Sequence, residues 1–105
     1  IEIFDNGEIT RDYLYIEDLI DILIKLHFCD NILDVGSGKR ILLLKIVKLI
    51  KKHTNSKSFI FITNKHRQGD VLHACSDKKY KIKITIDNGI KKLVKYIKNN
   101  LINIK

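Results

Sequence analysis

Three stretches of this chain carry apolar residues at intervals of three and four, and the runs between them are rich in β-branched residues. Ile16, Leu19, Ile20, Leu23 and Ile24, with His27 extending the line, trace one face of a helix, and Glu17, Asp18, Asp21 and Lys25 fill the other. Acids in its first turn suit the helix macrodipole. Leu43, Leu44, Val47 and Ile50 make a second stripe, widened by Ile46 and Leu49. Lys51, Lys52 and His53 announce its end, and Asn55 and Ser56 make the loop. Ile86, Ile90, Leu93, Val94 and Ile97 form the third, entered through Thr85 as N-cap with Asn88 as a weak reciprocal partner.

The strand-like segments are short. Residues 1–10 read as a strand, an Asp5-Asn6-Gly7 turn and a second strand, because Asn-Gly tolerates the positive φ of a tight hairpin. Asn31 to Val35 is a buried-strand candidate running into Gly36-Ser37-Gly38-Lys39, and Ser58 to Thr63 is a strand by β-branched and aromatic content. Asn64 to Asp70 is a loop, and Lys81 to Thr85 is extended. A chain of 105 residues makes one domain with a modest core. It starts on isoleucine, already in strand-like alternation, so the expectation is a piece of something longer.

A net charge of +8 raises the question of an anionic partner. Most lysines, such as Lys45, Lys48, Lys51 and Lys52 or Lys91, Lys92, Lys95 and Lys98, alternate with apolar residues as an exposed helix face does. Most aromatic residues lie apart from those faces, which disfavours nucleic acid as the partner. Cys29 and Cys75 show neither disulfide nor zinc spacing, and His27, His53, His66 and His73 show no metal-ligand pattern. No metal site is expected, and a reducing, cytoplasmic setting fits. No apolar run reaches the ~20 residues that span a bilayer, and no cleavable leader is visible.

Arginine usage is more informative. The chain has 17 lysines but three arginines, so an arginine marks a need for a planar, forked donor to phosphate or carboxylate. Arg11 stands in Thr10-Arg11-Asp12-Tyr13-Leu14-Tyr15-Ile16-Glu17-Asp18, where strand character gives way to helix. Its bland alternative is a structural pair with Asp12 or a helix carboxylate. Gly36-Ser37-Gly38-Lys39 is not a P-loop, since the glycine spacing is short and Arg40 replaces the hydroxyl residue. Ile32 to Gly38 looks like the first motif of S-adenosylmethionine-dependent methyltransferases, yet Arg40 stands where the next glycine belongs and Lys51 to Lys65 holds no acid for a ribose.

The order of motifs carries a stronger resemblance. Asn6-Gly7, the Thr10–Asp18 stretch, Val35 to Lys39 before a helix, Arg67-Gln68-Gly69-Asp70-Val71 with Ser76-Asp77, and Tyr80 with Thr85 to Ile90 follow one another along almost the whole chain. In that order the chain resembles the C-terminal part of the extended short-chain dehydrogenase/reductases, specifically the NAD-dependent nucleotide-sugar epimerases and dehydratases. The resemblance implies an α/β fold, the C-terminal substrate-binding portion of a Rossmann-type enzyme, with three main helices and short strands. It further implies a nucleotide-diphosphate sugar gripped by Arg11 and Arg67, a ribose held by Asp70, and Tyr13 near the same ligand. Val35 to Lys39 becomes mainly a packing turn. The family's glycine-rich NAD fingerprint and its Tyr-x-x-x-Lys pair are absent, so no catalytic residue is assigned, no cofactor is expected to bind this chain alone, and the chain alone should be inactive. An NAD-binding domain, outside this chain, or a second copy is the expected protein partner. The competing expectations are a methyltransferase fragment and a non-enzymatic basic fragment that binds anions or another subunit. The family's helix between Asp77 and Tyr80 is shortened to Lys78-Lys79, its usual proline is Ile82, and Leu42 stands where a Ser or Thr helix cap is common.

Overall fold

The computed structural model describes residues 1–28 and 30–101, and it is α/β. Cys29 lies outside the described residues. In chain order come β1 (Glu2–Ile3), a 3-10 turn (Asp5–Gly7), β2 (Thr10–Arg11), α1 (Ile16–Lys25), β3 (Ile41–Leu42), α2 (Leu43–Thr54), β4 (Phe61–Ile62) and α3 (Ile86–Asn100).

The first two strands do not form the expected hairpin with each other. β1 runs parallel to β4, with Ile3 opposite Ile62, and β2 runs antiparallel to β3, with Thr10 opposite Leu42. The turn itself has the expected chemistry, since Asn6 (φ 55°) and Gly7 (φ 77°) both take positive φ. Its amides are spent elsewhere: Asp5 N–H donates to the Lys65 carbonyl at 2.8 Å and Asn6 N–H to the Thr63 carbonyl at 2.8 Å. Long-range pairing thus overrides the local hairpin signal.

Two other strand expectations shrink. Asn31 to Val35 forms no strand and leaves Ile32 fully exposed. Ser58 to Thr63 contributes only Phe61–Ile62 to a ladder, with Phe59 and Phe61 exposed.

The helices keep their expected spans because their signals are local. Thr85 caps α3, its hydroxyl accepting from Asn88 N–H at 3.3 Å. α2 has no side-chain cap at Leu42; instead Leu43 N–H donates to the Ile9 carbonyl at 2.9 Å, so the helix start is tied to the sheet. Its end is closed by Asn55 in the left-handed conformation. α2 packs along α3, and His53 Nε2 meets Asp87 Oδ1 at 2.8 Å, joining the end of one to the start of the other. The hydrogen bond from His53, with help from Lys52, holds the Asp87 carboxyl below the usual carboxylate range.

The face of α1 is reversed. Ile22 and Asp18 are buried, at 6% and 2% exposure, whereas Ile20 and Ile24 stand at 47% and 62% and Ile16 and Leu23 are also exposed. The cause is the Asp18 carboxylate, which accepts the backbone N–H groups of Lys83 (3.1 Å) and Ile84 (3.0 Å) and so draws its own side of the helix inward. That clamp holds the extended run before α3, which pairs with no strand. The apolar stripe of α1 is left facing outward.

Chemical unfolding checks this orientation. Ile22→Ala should cost about 2–4 kcal/mol, as buried truncations do, while Ile20→Ala and Ile24→Ala should stay within about 0.5 kcal/mol. Asp18→Ala, which strands two backbone donors, should cost about 2 kcal/mol.

Candidate functional site

Directly after β2, the Asp12 carboxylate gathers two distant loops. Its Oδ1 accepts from the Ser37 N–H (2.8 Å) and hydroxyl (2.5 Å), and its Oδ2 accepts from Gly38 N–H (2.9 Å) and Ser76 N–H (3.1 Å). Burial alone would push this carboxyl up, but the hydrogen bonds from Ser37, Ser76 and Gly38 outweigh it and hold it below the ordinary carboxylate value. A Cβ on Gly36 would lie 2.5 Å from Asp12 Oδ2 and 2.7 Å from Ser76 Cβ, which explains the glycine. The turn's N–H groups therefore point at the chain's own carboxylate, and packing accounts for the Gly-Ser-Gly sequence. Cys75 donates its thiol toward Asp12 Oδ2 at 3.8 Å; burial first, then the neighbouring carboxylate, pushes that thiol up and keeps it protonated.

Asp12 fixes the backbone on which Arg11 sits. The Arg11 guanidinium pairs with Asp70 at 2.7 Å, neither with Asp12 nor with a helix acid, and also donates to the carbonyls of Thr10 (2.8 Å) and Leu72 (3.3 Å). Asp70 closes a four-residue turn in which its N–H donates to the Arg67 carbonyl at 3.1 Å and Gly69 takes φ +81°. That φ at the third position is the one a type II turn requires, which is the reason for glycine there. Arg11, Arg67 and Asp70 line a single hollow of about 330 Å³ with Glu2, Ile9 and Leu43 among its walls. Arg67 is exposed, and its side chain has no hydrogen-bond partner among the described residues.

Tyr13 is elsewhere. It lines the apolar groove between α2 and α3, about 430 Å³, with Tyr15, Ile46, Ile90 and Val94, and burial pushes its hydroxyl pKa up. His73, a histidine without metal-ligand spacing, has a structural role: its Nδ1 meets the Thr10 hydroxyl at 2.7 Å and pins the segment after Asp70 beside β2, a contact sequence reasoning did not specify. Sequence reasoning considered Asp12 only as a partner for Arg11. The signal for its real role was a run of three small residues, Gly36-Ser37-Gly38, whose amides needed an acceptor.

No family model matches the chain. A dTDP-4-dehydro-6-deoxyglucose reductase of Escherichia coli is 30% identical over 107 residues, which is 93% of this chain and 34% of that protein. The solved UDP-glucose 4-epimerase of Thermotoga maritima, determined with UDP-glucose, superposes with a TM-score of 0.82 at 24% identity, covering 96% of this chain and 35% of its own. A GDP-mannoheptose C4 reductase from Campylobacter jejuni, solved with NADP bound, superposes at 0.67 with 22% identity over 93% of this chain and 34% of its own. The chain spans about a third of the length of the curated relatives it matches.

The Asp12 knot gives the site a pH signature. A carboxyl held below its ordinary value contributes stability that is fully present above about pH 4 and is lost as pH falls through the lowered folded value. Asp12→Asn should therefore be markedly less stable than the parent in urea at pH 7, with the gap closing toward pH 2. Gly36→Ala should be destabilising at both pH values, because the clash is steric.

Proposed function

This chain corresponds to the C-terminal part of an extended short-chain dehydrogenase/reductase, and from that premise we propose that it recognises a nucleotide-diphosphate sugar. The observation that carries the reading is that two of the chain's three arginines, far apart in sequence and carried by β2 and by the 67–70 turn, line one hollow. A pair of guanidinium groups suits a diphosphate, since each presents parallel N–H donors to non-bridging oxygens. Asp70 is the acceptor proposed for ribose hydroxyls. Tyr13 lines a different hollow, so the diphosphate grip rests on the other three.

NAD, the cofactor of the parent family, does not fit the residues described here. The glycine turn's amides are bound to Asp12, and no Tyr-x-x-x-Lys pair is present. No redox step is therefore assigned to this chain, which by itself should be inactive. The parent reaction we propose is epimerisation or dehydration of the sugar, with NAD held by a separate nucleotide-binding portion and in the cytoplasm. The outward stripe of Ile16, Ile20, Leu23 and Ile24 is the surface we assign to that portion, since an apolar helix face of this kind is normally covered.

Titration of the full chain with a UDP-sugar at two salt concentrations tests the reading. Binding should saturate, and Arg67→Ala should weaken it about tenfold or more, the size of a lost charge-assisted contact. Weak binding that fades with salt and ignores the substitution would overturn the site and leave only diffuse attraction to a basic surface.

A further inference from the structure

We infer that Asp70 is a positioning residue for Arg11, one carboxylate oxygen setting the guanidinium in place for the diphosphate; this rests on the reading of the hollow given above. An arginine carries five N–H donors. Three are used here: Nη1 donates to the carbonyls of Thr10 and Leu72, and Nη2 donates to Asp70 Oδ1. Nε–H and the second hydrogen of Nη2 have no partner among the described residues and remain for a ligand. The two carbonyls fix one end of the fork, and Asp70 fixes the other.

Asp70 is itself held firmly. Its Oδ1 also accepts the Val71 N–H at 3.0 Å, and its own N–H closes the turn onto the Arg67 carbonyl. The turn that displays Arg67 is thus the turn that orients Arg11, so one piece of backbone sets the spacing of the two cations. Oδ2 takes no hydrogen bond from the described residues, so one carboxylate can hold the arginine with one oxygen and meet a ribose with the other. A fork fixed before the ligand arrives loses less side-chain freedom on binding.

Inorganic pyrophosphate separates this role from a ribose contact, because it has no ribose. A carboxylate that merely stood near the anion would repel it, and its removal would tighten pyrophosphate. In the full chain, Asp70→Ala should instead weaken pyrophosphate about tenfold, and Arg11→Ala/Asp70→Ala should bind it no worse than Arg11→Ala alone. Asp70→Glu should recover part of the loss. Thermal melts of each variant separate lost binding from lost fold, and Asp70→Ser, too short to reach Arg11, gives the same readout where the alanine variant does not fold. Unchanged or tighter pyrophosphate binding by Asp70→Ala, or losses that add in the double variant, would overturn the inference alone. Failure of the parent chain to saturate with either pyrophosphate or UDP would remove the diphosphate site and this inference with it.

Discussion

One carboxylate, that of Asp12, is the contact on which the arrangement depends. It takes three backbone N–H groups and a hydroxyl from two loops far apart in the chain, the 36–38 turn and the segment at Ser76 that follows the 72–74 stretch lying beside β2. Hydrogen bonds to an ionised acceptor are about twice as strong as neutral ones, and each donor here would stand unpaired without it. Since Arg11 is the adjacent residue, whatever fixes Asp12 fixes the origin of the guanidinium. The knot and the hollow are built on consecutive residues.

The same device recurs at Asp18, and together the two sites explain how so small an apolar core suffices. Among the described residues, Ile3, Ile9, Ile22 and Ile46 are the buried large apolar side chains, while the strands are two residues long. Ladders this short order little backbone. Coil segments on either side of α2 are positioned instead by acids that accept from main-chain amides, a directional contact that specifies one register where apolar packing would allow several. The cost is a fold that leaves an apolar stripe on α1 uncovered, consistent with a chain that spans about a third of its relatives.

What the sequence made legible was local. The three helices, the Thr85 cap, the uncapped Leu42 and the positive-φ turn at Asn6-Gly7 all follow from residues within a turn of one another. Strand pairing and the buried face of α1 were not legible, because both are decided by partners about 60 residues away: Thr63 and Lys65 for the turn amides, Lys83 and Ile84 for Asp18. Periodicity assigned Asp18 to solvent on chemical grounds that hold for an unpaired acid and fail for one with two backbone donors. Arg11 stood out from the scarcity of arginine, and Arg67 and Asp70 came from the order of motifs; nothing in their spacing could have shown that the arginine and the aspartate would pair.

The surplus positive charge belongs elsewhere than the hollow. Lys92 pairs with Glu17 at 2.9 Å and Lys83 with Asp21 at 3.1 Å, exposed contacts of the kind that contribute little and that salt weakens. At the hollow, Glu2 is taken by Lys65 at 2.8 Å, whose hydrogen bond holds it below the usual range, and Asp70 is taken by Arg11. The wall charges thus compensate one another except at Arg67. Coulomb attraction alone cannot then make this hollow more attractive to an anion than the lysine-covered helices are. Any preference for a diphosphate has to come from forked donors held at a fixed separation, which is a property of the Gly69 turn and the Arg11–Asp70 pair together.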